Sequence, residues 1–296
     1  MKPFRPCNTW STPIVEERRE SVPCALCGGG VFAPSLSCEG FSYVRCVGCG
    51  LVQMNPQPVA DSVKSRYGDN YLAYELENEE NFLNLQKLGL SDAGFFRIER
   101  ELLSKGDAPS VLDVGCATGA LLGFLRERGW RTVGVEISPS AVHARETRGL
   151  DVRRRSLDEC GFPDGGFDVV LASHLIEHLN RPRDFIREVG RILRPDGHLF
   201  LTTPNVDGFQ ARLFGGGWRA AIFDHLYLFS VRTLKAMLRS EGFTVAGVHT
   251  WGGLAAGTAP RPVKRLADGA AKLFGTGDVV LIRAVVGGGG KGTGEL

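Results

Sequence analysis

The stretch from Ser110 to Glu136, SVLDVGCATGALLGFLRERGWRTVGVE, leaves the chain few folds to choose from. It reads as an apolar strand, a turn, a helix and a second strand that ends on an acid. Val111, Leu112 and Val114 suit a strand covered on both faces, the habit of parallel sheets. Gly115 and Gly119 bracket the turn, where the lack of a Cβ permits positive φ and lets a ligand lie against the backbone. The helix that follows aims its unpaired N–H groups into the same crevice. Glu136 closes the second strand, where a carboxylate can accept hydrogen bonds from a ribose diol.

Two ligand classes use such a turn. The dinucleotide fingerprint is G-x-G-x-x-G, but Ala117 stands where its middle glycine would be. Asp113, two residues before Gly115, would repel a pyrophosphate and suits a cationic group such as an amino-acid ammonium. A third reading gives the glycines no more than a tight turn in an α/β domain.

The second constraint is Cys24-Ala-Leu-Cys27-Gly28 followed by Cys46-Val-Gly-Cys49-Gly50. Two C-x-x-C pairs about twenty residues apart predict a closed, tetrahedral, structural zinc site on a small ribbon. Gly28 and Gly50 let backbone N–H groups turn toward the sulfurs. Cys38 and Cys7 fall outside the pattern. With no apolar core after Lys2 and Arg5, no secretory signal is expected, so the eight cysteines point to a reducing cytoplasm and to metal rather than disulfides. A formal charge of +2 gives no footprint for nucleic acid, and no apolar run reaches membrane-spanning length.

The order of parts divides the chain into a flexible lead-in (1–22), the ribbon (23–56), a helical lead-in (57–105), an α/β domain (106–286) and a glycine-rich tail (287–296). In the helical lead-in, Phe82, Leu85 and Leu88 recur at helical spacing, as do Phe95, Ile98 and Leu102, with Gly89 and Gly94 dividing two helices. Phe167–Ser173 is the fourth strand, followed by His174-Leu-Ile-Glu177-His178, which on a helix would put both histidines on one face. Gly197 is expected at positive φ in the turn Arg194–Gly197. The aromatic, glycine-rich connection 206–229 reads as a substrate flap. Ser230 caps the next helix, Val263–Phe274 reads as an amphipathic helix, and the final two strands form an antiparallel pair.

The run CxxCG…CxxCGLV, the Pro56/Pro58 link, the segment holding Tyr67, Tyr71 and Tyr74, and the turn D-x-G-x-x-x-G together resemble class I S-adenosylmethionine (SAM) methyltransferases with an N-terminal zinc ribbon. The resemblance covers about residues 24–285. It implies a Rossmann-like sheet of seven strands, mostly parallel, with a terminal antiparallel pair. It implies SAM held by Asp113, Gly115, Cys116, Ala117, Gly119, Glu136, Ile137, Asp158, Ser173 and Tyr71, and structural zinc held by Cys24, Cys27, Cys46 and Cys49. His174, His178 and His225 are the candidate catalytic residues, His225 lying in a segment that resembles the sugar- and small-molecule-methylating branch. The expected activity is O-methylation of a small molecule or sugar, without nucleic acid or membrane insertion. Two alternatives are an rRNA or tRNA methyltransferase that grips RNA with the ribbon, and a non-catalytic SAM-binding protein. The E-H pair of Glu177 and His178 also resembles a feature of lipid-quinone methyltransferases associated with a divalent cation.

Overall fold

A computed structural model of the chain describes residues 18–38, 40–60, 66, 69–252, 269, 271–272 and 275–287, with no side chains described for 69–71. Tyr67, Tyr71, most of the helix expected over Val263–Phe274, and the tail beyond 287 lie outside the described residues or side chains.

The core is a seven-stranded sheet formed by β6 (Ser110–Val114), β7 (Arg131–Val135), β8 (Val152–Arg153), β9 (Phe167–Ser173), β10 (Leu193–Pro204), β12 (Phe243–Trp251) and β13 (Val279–Val286). Its order is β12-β13-β10-β9-β6-β7-β8, parallel from β10 to β8, with β13 antiparallel to both β10 and β12. All five residues of β6 are buried, as its continuous apolar run requires of a strand with neighbours on both sides. Helices α3 (Ala120–Glu127), α4 (Ser140–Arg148) and α5 (Pro182–Ile192) follow β6, β7 and β9, the crossovers that parallel pairing demands.

Two helices precede the sheet, α1 (Asp69–Asp92) and α2 (Phe95–Leu103). Only Gly94, left-handed at φ 80°, divides them; α1 runs through Gly89, which faces Trp251 and Leu281. Phe82, Leu85 and Leu88 lie exposed, while Leu90, Ala93, Phe95 and Ile98 meet the core. Apolar spacing thus found the buried face of α2, where Phe95 and Ile98 lie in the core and Leu102 packs against it, but not that of α1.

The N-terminal ribbon is a sheet of β2 (Phe32–Cys38), β3 (Phe41–Cys46) and β4 (Val52–Met54), extended by β11 (Tyr227–Leu228) from far along the chain. Tyr227 pairs with Gln53 and Leu228 with Val52. The lead-in is not wholly loose: β1 (Arg19–Glu20) pairs with β5 (Gln57–Pro58). Nor is 206–229 a free flap. Trp218 is buried with its indole N–H on Asp278, and Gly216 presses so close to the Ser37 carbonyl that a Cβ would lie 2.2 Å from it. Its short helix α6 (Phe209–Phe214) leaves Phe209, Leu213 and Phe214 exposed. The turn after Arg194 also differs: Asp196 takes the positive φ, and Gly197 serves close approach to the Arg194 carbonyl. Helix α7 (Val231–Ser240) starts with a capping box between Ser230 and Thr233. Among the described residues, no helix is long and apolar enough to cross a membrane.

Candidate active site

The parallel strands end their carboxyl edges around the turn 115–119. Gly115 and Gly119 both take φ 75°, and Ala117 is left-handed at φ 50°, an uncommon state for a residue with a Cβ. A Cβ on Gly119 would strike Leu150 at 2.7 Å and Ala144 at 3.1 Å, so this glycine serves helix packing as well as the turn. Glu136 braces the crevice from β7: one carboxylate oxygen accepts from the Ala117 N–H at 3.1 Å and the other from the Ser138 N–H at 2.8 Å. Each oxygen keeps acceptor capacity for a diol. Cys116 is buried and Ile137 partly exposed, flanking the same turn.

Asp113 is fully enclosed, at 2% exposure, and among the described residues no donor reaches its carboxylate. Burial, then the neighbouring Glu136, raise its pKa to about 7. A buried carboxylate in this state lacks a positive partner, which an ammonium-bearing ligand would supply. Glu75, from α1, was not foreseen. It is buried, accepts from the Ser140 hydroxyl, and is raised to about 7 by burial and by Glu136 against that hydrogen bond. Nothing in helical periodicity marks an acid as inward-facing; only its place on the segment expected over the cofactor hinted at it.

His174 and His178 do not share a helical face. His174 has φ 52°, and only a single 3-10 turn, Ile176–His178, follows. The bend instead drives Glu177 inward, to 0% exposure, where it accepts from Thr203 Oγ1 at 2.9 Å and meets His174 Nδ1 at 3.2 Å. Burial alone would raise its pKa; the His174 hydrogen bond and the potential of His174, His178 and His225 outweigh it and lower Glu177 to about 2.

His225 comes from the segment before β11 and packs its ring edge-on against His178, centroids 4.7 Å apart. Each imidazole faces a backbone carbonyl through Nδ1: His178 to Asp224 at 2.9 Å, His225 to Ala220 at 2.8 Å. Since a carbonyl only accepts, both Nδ1 atoms carry hydrogen, and in a neutral ring so held the lone pair sits on Nε2. Burial and then His178 lower His225 to about 3, so it is neutral at physiological pH. Donor atoms of Glu177, His178 and His225 lie within 4.8 Å of one another, a set also suited to a divalent ion. Gly115 ties the two halves together, its Cα facing the Leu175 side chain, 3.4 Å from where a Cβ would sit. Ser173 ends β9 beside this bend, whereas Asp158 is exposed in a separate 3-10 turn, Asp158–Cys160. A cavity of about 920 Å³ lies elsewhere, at the amino ends of the strands near Pro109, Asp168 and His198.

In the ribbon the four Sγ atoms of Cys24, Cys27, Cys46 and Cys49 lie within 4.8 Å of one another, with Cys24–Cys49 at 3.3 Å and Cys27–Cys46 at 3.5 Å. Thiolates about 2.3 Å from a tetrahedral ion would stand roughly 3.8 Å apart, so the donor set fits zinc. Although burial opposes it, N–H groups of Cys49 and Gly48 help lower Cys46 to about 7. Cys38 is no part of the cluster; its thiol points to the Gly216 and Ala221 carbonyls. The ribbon also reaches the histidines. The Tyr43 hydroxyl lies 2.7 Å from the Ile222 carbonyl and 2.8 Å from that of His225, and the Met54 N–H donates to Leu226 at 2.8 Å.

Comparisons with known proteins agree with this geometry. A family model described as a methyltransferase domain matches residues 96–248, just over half of the chain. A ubiquinone biosynthesis O-methyltransferase of Xanthomonas oryzae pv. oryzae is 33% identical over 102 residues, 32% of this chain and 43% of that protein. A probable S-adenosylmethionine-dependent methyltransferase of Mycolicibacterium smegmatis is 36% identical over 98 residues, 32% of this chain and 38% of that protein. The match thus spans about two fifths of these relatives' length. Among solved structures, a chain of the Haloferax volcanii complex between the Trm112 methyltransferase activator and a methyltransferase aligns with TM-score 0.57 at 20% identity, covering 77% of this chain and 99% of that one. A SAM-dependent methyltransferase from Archaeoglobus fulgidus aligns with TM-score 0.50 at 21% identity, covering 72% and 99%. With a domain model matched over half of its length and a sheet of this order, the chain belongs to the methyltransferase-domain family.

Proposed function

We propose that the protein transfers a methyl group from SAM to a hydroxyl of a small molecule or sugar, with His178 as general base. SAM supplies an electrophilic methyl on a sulfonium, so the protein's task is alignment and removal of one proton. Asp113 receives the ligand's ammonium and Glu136 its ribose hydroxyls, with Gly115–Gly119 and Ile137 lining the path between. His178 Nε2 takes the acceptor's proton. The buried, ionised Glu177 beside it steadies the imidazolium that results, and His225, held neutral by its surroundings, keeps the pocket's second lone pair in place. Cys24, Cys27, Cys46 and Cys49 hold structural zinc.

The observation that carries this reading is the packing of Leu175 against Gly115, which sets the histidine bend directly beside the cofactor turn. The quinone O-methyltransferase relative supports oxygen as the nucleophile. The test is turnover of SAM to S-adenosylhomocysteine across a panel of sugar and phenol acceptors. His178→Ala is expected to lower kcat by about 10²–10⁴ and His225→Ala by less, with SAM affinity in calorimetry unchanged in both. Normal turnover in both variants would remove the histidines from the mechanism.

A second reading draws on the donor set Glu177, His178 and His225 and places a divalent ion at the acceptor hydroxyl. Turnover that stops on mild chelation, returns with magnesium or manganese, and leaves the ribbon's zinc in place would favour it.

A further inference from the structure

Away from the histidines, a groove of about 420 Å³ runs between α6 and α7, lined by Asp207, Arg212, Arg232, Lys235, Arg239 and the backbone at Gly275–Thr276. The chain pairs its arginines readily: Arg128 with Glu99, Arg148 with Glu79, Arg183 and Arg187 with Glu241, Arg194 with Asp168, Arg219 with Asp278. The four cations of the groove are not paired in this way. Among the described residues none of them has an acidic partner within salt-bridge distance, although Asp207 lines the same groove. In a molecule whose formal charge is only +2, four such cations in one concavity are a local excess.

Their placement is built. Arg232, Lys235 and Arg239 stand at i, i+3 and i+7 on α7 and so share a face, spanning roughly 10 Å of helix. Ser230 and Thr233 fix where that helix begins. Arg232 reaches the second cysteine knuckle, one guanidinium nitrogen 2.2 Å from where a Cβ on Gly50 would sit. Arg212 faces them from α6.

We propose that this groove binds a small ligand carrying two or more phosphate groups. Guanidinium groups match phosphate oxygens two at a time, and three successive cations along a helix exceed what a single phosphate needs. Asp207 lines the same groove with opposite charge, which favours a compact ligand over a continuous polyanion track. The site stands independently of methyl transfer, because its test needs no turnover.

The probe is inorganic pyrophosphate, titrated calorimetrically into the full-length, zinc-loaded protein. One equivalent is expected to bind, at least about tenfold more weakly in the double variant Lys235→Glu, Arg239→Glu and more tightly in Asp207→Asn, which removes the opposing charge. Affinity should fall with added salt. SAM affinity is expected to stay as in the wild type, which separates loss of the groove from loss of the fold. No heat with pyrophosphate up to about 10 mM, or equal binding by wild type and both variants, would overturn the proposal. So would a protein that ignores pyrophosphate and instead binds polyuridylate RNA or vesicles of anionic phospholipid.

Discussion

Asp113 faces two opposed demands. Without a cationic ligand its charge is unwelcome, because burial and Glu136 lift its pKa to about 7 against an ordinary 3.8. A group raised in this way contributes stability below about pH 4 and loses it as the pH climbs through 7. Asp113→Asn therefore should make the free protein more stable at pH 8, by roughly 1–4 kcal/mol, since each tenfold change in proton affinity is worth about 1.4 kcal/mol. The same change should weaken SAM binding by tenfold or more. Thermal unfolding and calorimetry on one variant read the two effects, and a loss on both would refute the assignment. Asp113 was legible in the sequence because an acid two residues before a turn glycine has a local meaning. Glu177 and Glu75 were not placed correctly in advance. The inward turn of Glu177 depends on His174 adopting φ 52°, which no side-chain spacing announces.

Among the elements, the ribbon had the plainest motif and the least expected reach. Its four cysteines were readable from spacing, but its contacts with the histidine segment join residues about 180 positions apart. Tyr43 meets the carbonyls of Ile222 and His225 from strand β3, so ribbon and histidine pocket share a wall. Cys46→Ser is expected to lose zinc and thermal stability together; full metal content in that variant would exclude the four-thiolate site. Tyr43→Phe should keep zinc and SAM affinity while lowering kcat several-fold, because the buried carbonyls of Ile222 and His225 lose their donor and the loop can shift. The Gly-rich connection looked like a flap because glycine and aromatic content mark loops in general. Its anchors, Trp218 on Asp278 and Gly216 on Ser37, are long-range contacts that composition does not encode.

Across the whole molecule, the buried titratable groups pull stability in opposite directions along the pH axis. Asp113 and Glu75, both raised to about 7, favour the folded state in acid and lose that contribution as the pH rises past 7. His225, lowered to about 3, and Glu177, lowered to about 2, lose theirs as the pH falls, from 6.5 toward 3 and from 4.5 toward 2. The free protein should therefore unfold at its highest temperature near about pH 5, and lower at pH 8. Saturating SAM, by giving Asp113 a cation, should narrow that gap. Melting curves with and without SAM at the two values test this, and a free protein more stable at pH 8 would contradict it. The seven-stranded order was legible because alternating strand and helix patterns admit few right-handed arrangements. The exposed face of α1 was not, since apolar spacing does not say which side meets the core.

Strand β11 completes a sheet whose other members were made some 170 residues earlier. During synthesis the cysteine-bearing segment leaves the ribosome long before Tyr227 and Leu228 exist to cover Val52 and Gln53. Until then that border is bare, and it is a natural place for a chaperone to attend the nascent polypeptide or for two unfinished copies to stick together. Metal capture can come early, but closure of this corner waits until Tyr227 and Leu228 have been made.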